Sequence, residues 1–318
     1  MVAKWFRLTR QKAAPLVGLL LLCLLWSLGS LRGDLFPHST SDARTPPPLE
    51  KQALRFAFLA LAATVFATVR HQTWPRSKNL RTPTFVGLGL FVAPALLIYF
   101  ADDWVSELTR VALFSLAPVF AVVFEPHLGR SNAPQSKAGL MASLIAVLGT
   151  MCVFPVDPPG SIEAGLAFCG IVLAAACVAA ANCCAVRAVT ESARESIVPF
   201  TAIASSSAAI GFGAIGALTE RSRWTWTIPG AEFTWFALVD LPALLLLFWL
   251  LRRMSATRMT TRFLLAPLIT NLVGLAILRP SVSLRAGLGL ILVAGSAGWL
   301  LFAPEENATT NRSLFQLD

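Results

Sequence analysis

Charged side chains are scarce in this chain. Only 14% of the residues are Asp, Glu, Lys or Arg, where a soluble domain carries about 25%. The apolar residues, 56% of the total, fall into runs of about 17–25, the length that crosses ~30 Å of hydrocarbon. Together these exclude a soluble globular fold. Histidine is nearly absent: His38, His71 and His127 lie in loops or at the edges of apolar runs and form no pair. No H-x-x-x-D, H-E-x-x-H or Ser/His/Asp set gathers in one loop, so the clustered chemistry of a membrane enzyme acting on lipid head groups is missing. The six cysteines (Cys23, Cys152, Cys169, Cys177, Cys183, Cys184) sit inside apolar runs without C-x-x-C or Cys/His spacing. They read as small packing residues rather than disulfide or metal ligands, and no cofactor is expected. The net charge of +9 does not point to nucleic acid, because the basic residues sit between spans and no basic stretch interleaves with aromatics outside the membrane.

What is present is a series of apolar runs that predicts ten membrane helices. They cover about 14–31, 52–69, 85–101, 106–124, 138–153, 164–186, 198–218, 233–251, 263–278 and 284–302. Lys4, Arg7, Arg10 and Lys12 before the first run resemble a signal peptide, but no small-x-small cleavage site closes it, and a retained helix is expected. The loop 32–51 holds Pro46-Pro47-Pro48 and is expected to be non-helical.

Two stretches repeat each other, Leu116 to Pro155 and Leu264 to Pro304. Each starts Ala-Pro (Ala117-Pro118, Ala266-Pro267), carries an arginine 12 residues past that proline (Arg130, Arg279), and restarts with basic-Ala-Gly-Leu at Lys137 and Arg285. The prolines are 149 residues apart and the glycines Gly139 and Gly287 are 148 apart. A near-constant offset of about half the chain predicts a duplicated membrane unit, a recurring transporter architecture. The expected organisation is a cytoplasmic N-terminus (1–13), two five-helix repeats (14–155 and 156–304) and a cytoplasmic tail (305–318). Loop charges orient it. One side collects 17 basic residues and the other 8, and the richer side is cytoplasmic. Five helices per repeat make the second copy enter from the opposite face, so the repeats are expected to be inverted, the geometry on which alternating access rests.

These features resemble the drug/metabolite transporter superfamily, in particular its ten-helix EamA-type members. The resemblance rests on Leu25-Trp26-Ser27, Leu54-Arg55, the Ser115-Leu116-Ala117-Pro118 entry and the doubled Ala-Gly-Leu helix, and runs from Ala14 to Pro304. It implies a secondary transporter of small organic molecules, more often an exporter, in the cytoplasmic membrane. Two departures stand out. The Gly-Glu that often closes helices 4 and 9 of the family is here Gly129-Arg130 and Leu278-Arg279. The first helix has no acid between Ala14 and Leu31, so the proton-coupling glutamate of small four-helix relatives has no equivalent.

Polar residues at depth are the candidates for the substrate path. Asp240 lies 12 residues before Arg252, about 18 Å along a helix, with Pro242 two residues on to free the carbonyl of Leu238. A carboxyl there is a proton or cation site if central, and an interfacial group if the helix starts later. Asn182 and Asn271 read as interhelical hydrogen-bonding residues or as path residues. Arg110 is expected to pair with Glu107 one turn earlier or to contact substrate. Arg32 and Asp34 end the first helix and, if that helix lines the cavity as the resemblance implies, gate its outer mouth; Trp26 lies deeper on the same helix. Pro118, Pro242 and Pro267 are the expected kinks. Ser205 to Ala209 with Gly211, Gly213 and Gly216 read as a close-packing face, and Tyr99 as an interfacial anchor. The expected partners are a small-molecule substrate and the lipid bilayer; a coupling proton and a second copy of the chain stay open. An integral-membrane enzyme and a non-transporting scaffold are the alternatives.

Overall fold

The computed structural model describes residues 2–35, 47–75, 80–129, 136–191, 196–220, 224, 230–278 and 283–303. Among these residues the chain is helical with no strand. In order the helices are α1 (Val2–Leu35), α2 (Pro48–Val69), α3 (Arg81–Ala101), α4 (Glu107–Leu128), α5 (Lys137–Val153), α6 (Ile162–Glu191), α7 (Ile197–Thr219), α8 (Glu232–Leu251), α9 (Ala256–Ile277) and α10 (Leu284–Phe302). Eight of them, all but α1 and α5, are long and apolar enough to cross a bilayer. The Ala13–Gly29 part of α1 and the whole of α5 are shorter apolar helices. This is an all-helical, multi-pass membrane protein.

Side-chain size is distributed for lipid rather than for water. Leu61, Ile210 and Ile291 are 64–71% exposed, whereas Ala60, Ala63, Ala67, Ala204, Ser205 and Ala208 are buried. Lipid gives large aliphatic groups no reason to hide, so helices associate through small residues that let backbones approach.

The chain forms two compact units, each drawing on both halves of the sequence: Met1–Ala95 with Ala188–Arg253, and Leu96–Arg187 with Met254–Asp318. In the first unit α2 and α7 pack antiparallel along their full length. The Leu49 and Glu50 N–H groups donate to Glu220 at one end (3.1 and 3.3 Å), Phe56 stacks on Phe212 at 5.6 Å in the middle, and Ser196 Oγ donates to Gln72 at the other end. α3 crosses α7 through Gly87, and α1 meets α8 through Gly18.

In the second unit α4 runs antiparallel to α9, with Phe114 against Phe263 at 5.8 Å and Glu125 at the start of α9. The C-terminal half of α5 lies on the N-terminal half of α10. Gly149 and Gly289 face each other backbone to backbone, and Arg285 Nη2 donates to Met151 O at 2.9 Å. The end of α3 (Ile98, Ala101) packs on Ala167, Phe168 and Ile171 of α6.

Several boundaries differ from expectation. α2 starts at Pro48 rather than at Gln52, because proline at the first helical position needs no N–H and already has helical φ. α4 is interrupted at Ser115-Leu116. α9 begins at Ala256, seven residues before Phe263, and is interrupted at Thr261. Arg55 lies within α2 and Arg262 within α9.

Candidate functional site

The candidate site is built around two widened helical turns. In α3 the segment Leu88–Val92 is a π turn, closed by Ala93 N–H donating to Leu88 O five residues back. In α8 the segment Phe236–Asp240 is the same, closed by Leu241 N–H donating to Phe236 O. The cause is proline. Pro94 and Pro242 each follow the π turn by two residues. Each lacks an N–H and crowds the carbonyl four residues back, Leu90 and Leu238. One inserted residue lets the helix continue past the defect. The two π turns and the two prolines are each 148 residues apart.

Asp240 is the last residue of the α8 π turn and is 8% exposed. Its Oδ1 accepts from Arg55 Nη2 of α2 at 2.5 Å. Arg55 also donates from Nη1 to Gln52 Oε1 at 3.4 Å and lies 5.8 Å above the Phe56 ring. Its Nε is buried with no hydrogen-bond partner. The guanidinium thus keeps its buried Nε–H unused by the protein, on a side chain that keeps 30% exposure.

Towards the start of α2 two further contacts continue this polar line. Lys51 Nζ pairs with Glu232 Oε1 at 3.1 Å. The buried Glu220 carboxylate then accepts the first N–H groups of α2, as a capping side chain would, with its charge on the positive end of the helix dipole. Glu220→Ala should cost about 1–2 kcal/mol, read as a lower thermal midpoint in detergent with the helical content unchanged.

The second unit holds a parallel set of contacts. Glu125 of α4 accepts Ala256 N–H (3.1 Å), Thr257 N–H (3.2 Å) and the Thr257 hydroxyl, capping α9. Arg262 is 2% exposed. Its Nη1 donates to Asn182 Oδ1 at 3.0 Å and to Met259 O at 3.2 Å, and it lies 4.7 Å above the Phe263 ring. Asn182 Nδ2 in turn donates to Val178 O at 2.6 Å, so both ends of this buried amide are used within the protein. Asn271 Nδ2 donates to Pro267 O at 2.9 Å, the carbonyl one turn back on its own helix.

The remaining predicted residues are not brought together. Arg110 pairs with Asp102 rather than with the expected Glu107, because Asp102 sits in the turn before α4 and meets the guanidinium from outside the helix. Pro118 is buried near the start of the second part of α4, and Pro267 lies inside α9. Trp26 is half-buried on α1. Arg32 and Asp34 fall on the end of α1, but their side chains lie outside the described residues, as do Arg130 and Arg279. Sequence reasoning missed Arg55 as the partner of Asp240, Arg262 as the partner of Asn182, Pro94 as the counterpart of Pro242, and both capping glutamates. The proline was the findable one, since it lies at the repeat offset already measured.

No family model matches the sequence, and no curated protein matches it. A solved structure described only as the crystal structure of a protein superposes with a TM-score of 0.68 at 16% identity, covering 92% of this chain and 99% of its own. That likeness shows a shared fold.

Proposed function

We propose that the chain is a secondary active transporter of the EamA type, moving small organic metabolites or drugs outward across the cytoplasmic membrane by alternating access. It does so as ten spans in two inverted repeats, with both termini in the cytoplasm. The observation that carries this reading is the doubled π turn. A backbone break that recurs at the offset of the sequence repeat is a duplicated working part, since composition alone does not place two such defects 148 residues apart. Broken helices at corresponding points of two halves are what a substrate site in such carriers is made from. Inversion is supported by the helix pairs: α2 with α7, α4 with α9 and α5 with α10 are counterparts at the repeat offset, and each pair packs antiparallel.

The Arg55–Asp240 pair is the charged recognition point in this reading. A charged substrate, or a proton on Asp240, acts by competing for one member of a pair already held at the α8 break. Purified protein in proteoliposomes with an imposed pH gradient should move at least one compound from a panel of radiolabelled amino acids, amines and sugars. Asp240→Asn should abolish uphill accumulation while leaving exchange. The absence of both flux and binding across the whole panel would overturn the transporter reading, and unchanged accumulation in the variant would remove Asp240 from the mechanism.

A further inference from the structure

We infer that the groove between α1 and α8 is a binding site for an anionic phospholipid of the cytoplasmic leaflet. The groove is shallow and open, about 460 Å³, and is lined by Ala13, Ala14, Val17 and Gly18 of α1 and by Leu246 and Trp249 of α8. Its shape follows from the sequence. Gly18 lets the helices touch, since a Cβ there would already lie 3.0 Å from Trp249 Cζ3 and 3.2 Å from Leu250 Cδ2. One turn nearer the N-terminus Ala13 and Ala14 line the groove with small side chains. The walls are apolar and suit an acyl chain.

The charge at its end selects the head group. Arg253 is exposed and its guanidinium lies 5.7 Å above the Trp249 ring that forms the groove wall. Arg252 precedes it in the chain. No acidic residue occurs from Met1 to Gly33 or from Leu241 to Pro304, so neither helix supplies an acid at this end. By its loop charge this end faces the cytoplasm, where basic groups beside a transmembrane groove recognise anionic head groups. The ring and the guanidinium together place an aromatic wall against the chain and a cation against the phosphate. This site is independent of what the protein transports.

Quenching by brominated lipids tests it on the full chain. Protein in phosphatidylcholine vesicles receives brominated phosphatidylglycerol or brominated phosphatidylcholine, and Trp249 emission is taken as wild type minus Trp249→Phe. Half-quenching should need about fivefold less phosphatidylglycerol than phosphatidylcholine, the preference that one surface basic residue confers. Arg253→Gln, an exposed change that leaves the groove walls intact, should abolish that preference, and Arg253→Lys should keep most of it. Equal quenching by the two head groups would make the groove an ordinary acyl contact. A preference that survives in Arg253→Gln would place the selecting charge elsewhere. A Trp249 shielded from both lipids in a dimeric particle would assign the groove to a second copy. Each of these three results overturns the proposal.

Discussion

Asp240→Ala should lower the unfolding free energy by about 3 kcal/mol, the low end of the range for breaking a buried pair. The low end applies because Arg55 keeps 30% exposure and recovers some hydration. The loss comes from the guanidinium left behind rather than from the missing attraction. Its Nη2 loses the 2.5 Å contact, its Nε is already without a hydrogen-bond partner, and Gln52 supplies only a 3.4 Å contact. The double variant Arg55→Met with Asp240→Leu should therefore recover most of the loss, since replacing both charges by apolar groups of similar volume is often neutral. Equilibrium unfolding in mixed micelles measures both. If the double variant is as unstable as the sum of the singles, the two residues are not coupled. Stability and transport separate here: a refolded double variant that still fails to move substrate assigns the pair a working role beyond holding α2 on α8.

Gly87→Ala should cost about 2–3 kcal/mol, at the upper end of what overpacking one methyl usually brings. An added Cβ would lie 2.2 Å from Ala204 O and 2.3 Å from Ser207 Oγ of α7. The serine can rotate, but the carbonyl belongs to the α7 backbone and cannot move without shifting that helix against α2. Gly213→Ala is the control. It sits on the same helix that Gly87 meets, with nothing within 4 Å of the new methyl, and should be neutral or slightly stabilising because alanine favours helix. Thermal midpoints of the two variants should separate clearly. Equal midpoints would mean that α3 and α7 are not in the close contact described.

The membrane character, the helical class and most span positions were legible because they depend on apolar runs, which local sequence carries in full. Helix ends were less so. Pro48 was read as a breaker when it opens α2, since proline gives opposite results at the first turn and in the interior. The site was half visible. Asp240 stood out as an acid in an apolar run, but its partner Arg55 lies 185 residues earlier, a separation that no local pattern spans. A helix start placed seven residues late hid Arg262, which looked cytoplasmic until α9 was seen to begin at Ala256. Asn182 carried no sign of its partner, because an amide reads alike whether it meets a guanidinium, a backbone carbonyl or a ligand. The duplication was readable in sequence at the Ala-Pro and Ala-Gly-Leu points. It was not readable in α3 and α8, where only the prolines and the backbone repeat, while Val92 stands opposite Asp240.

The way the compact units are assembled has a consequence for the chain as a whole. α2, α4 and α5 come from residues before Pro155, and the helices they pack against, α7, α9 and α10, come from residues after it. A fragment ending near that proline would thus present three unpartnered helix faces to lipid, and the remaining fragment would present their complements. Neither is a finished protein, so synthesis of the first half must wait, inserted but incomplete, for the second to arrive.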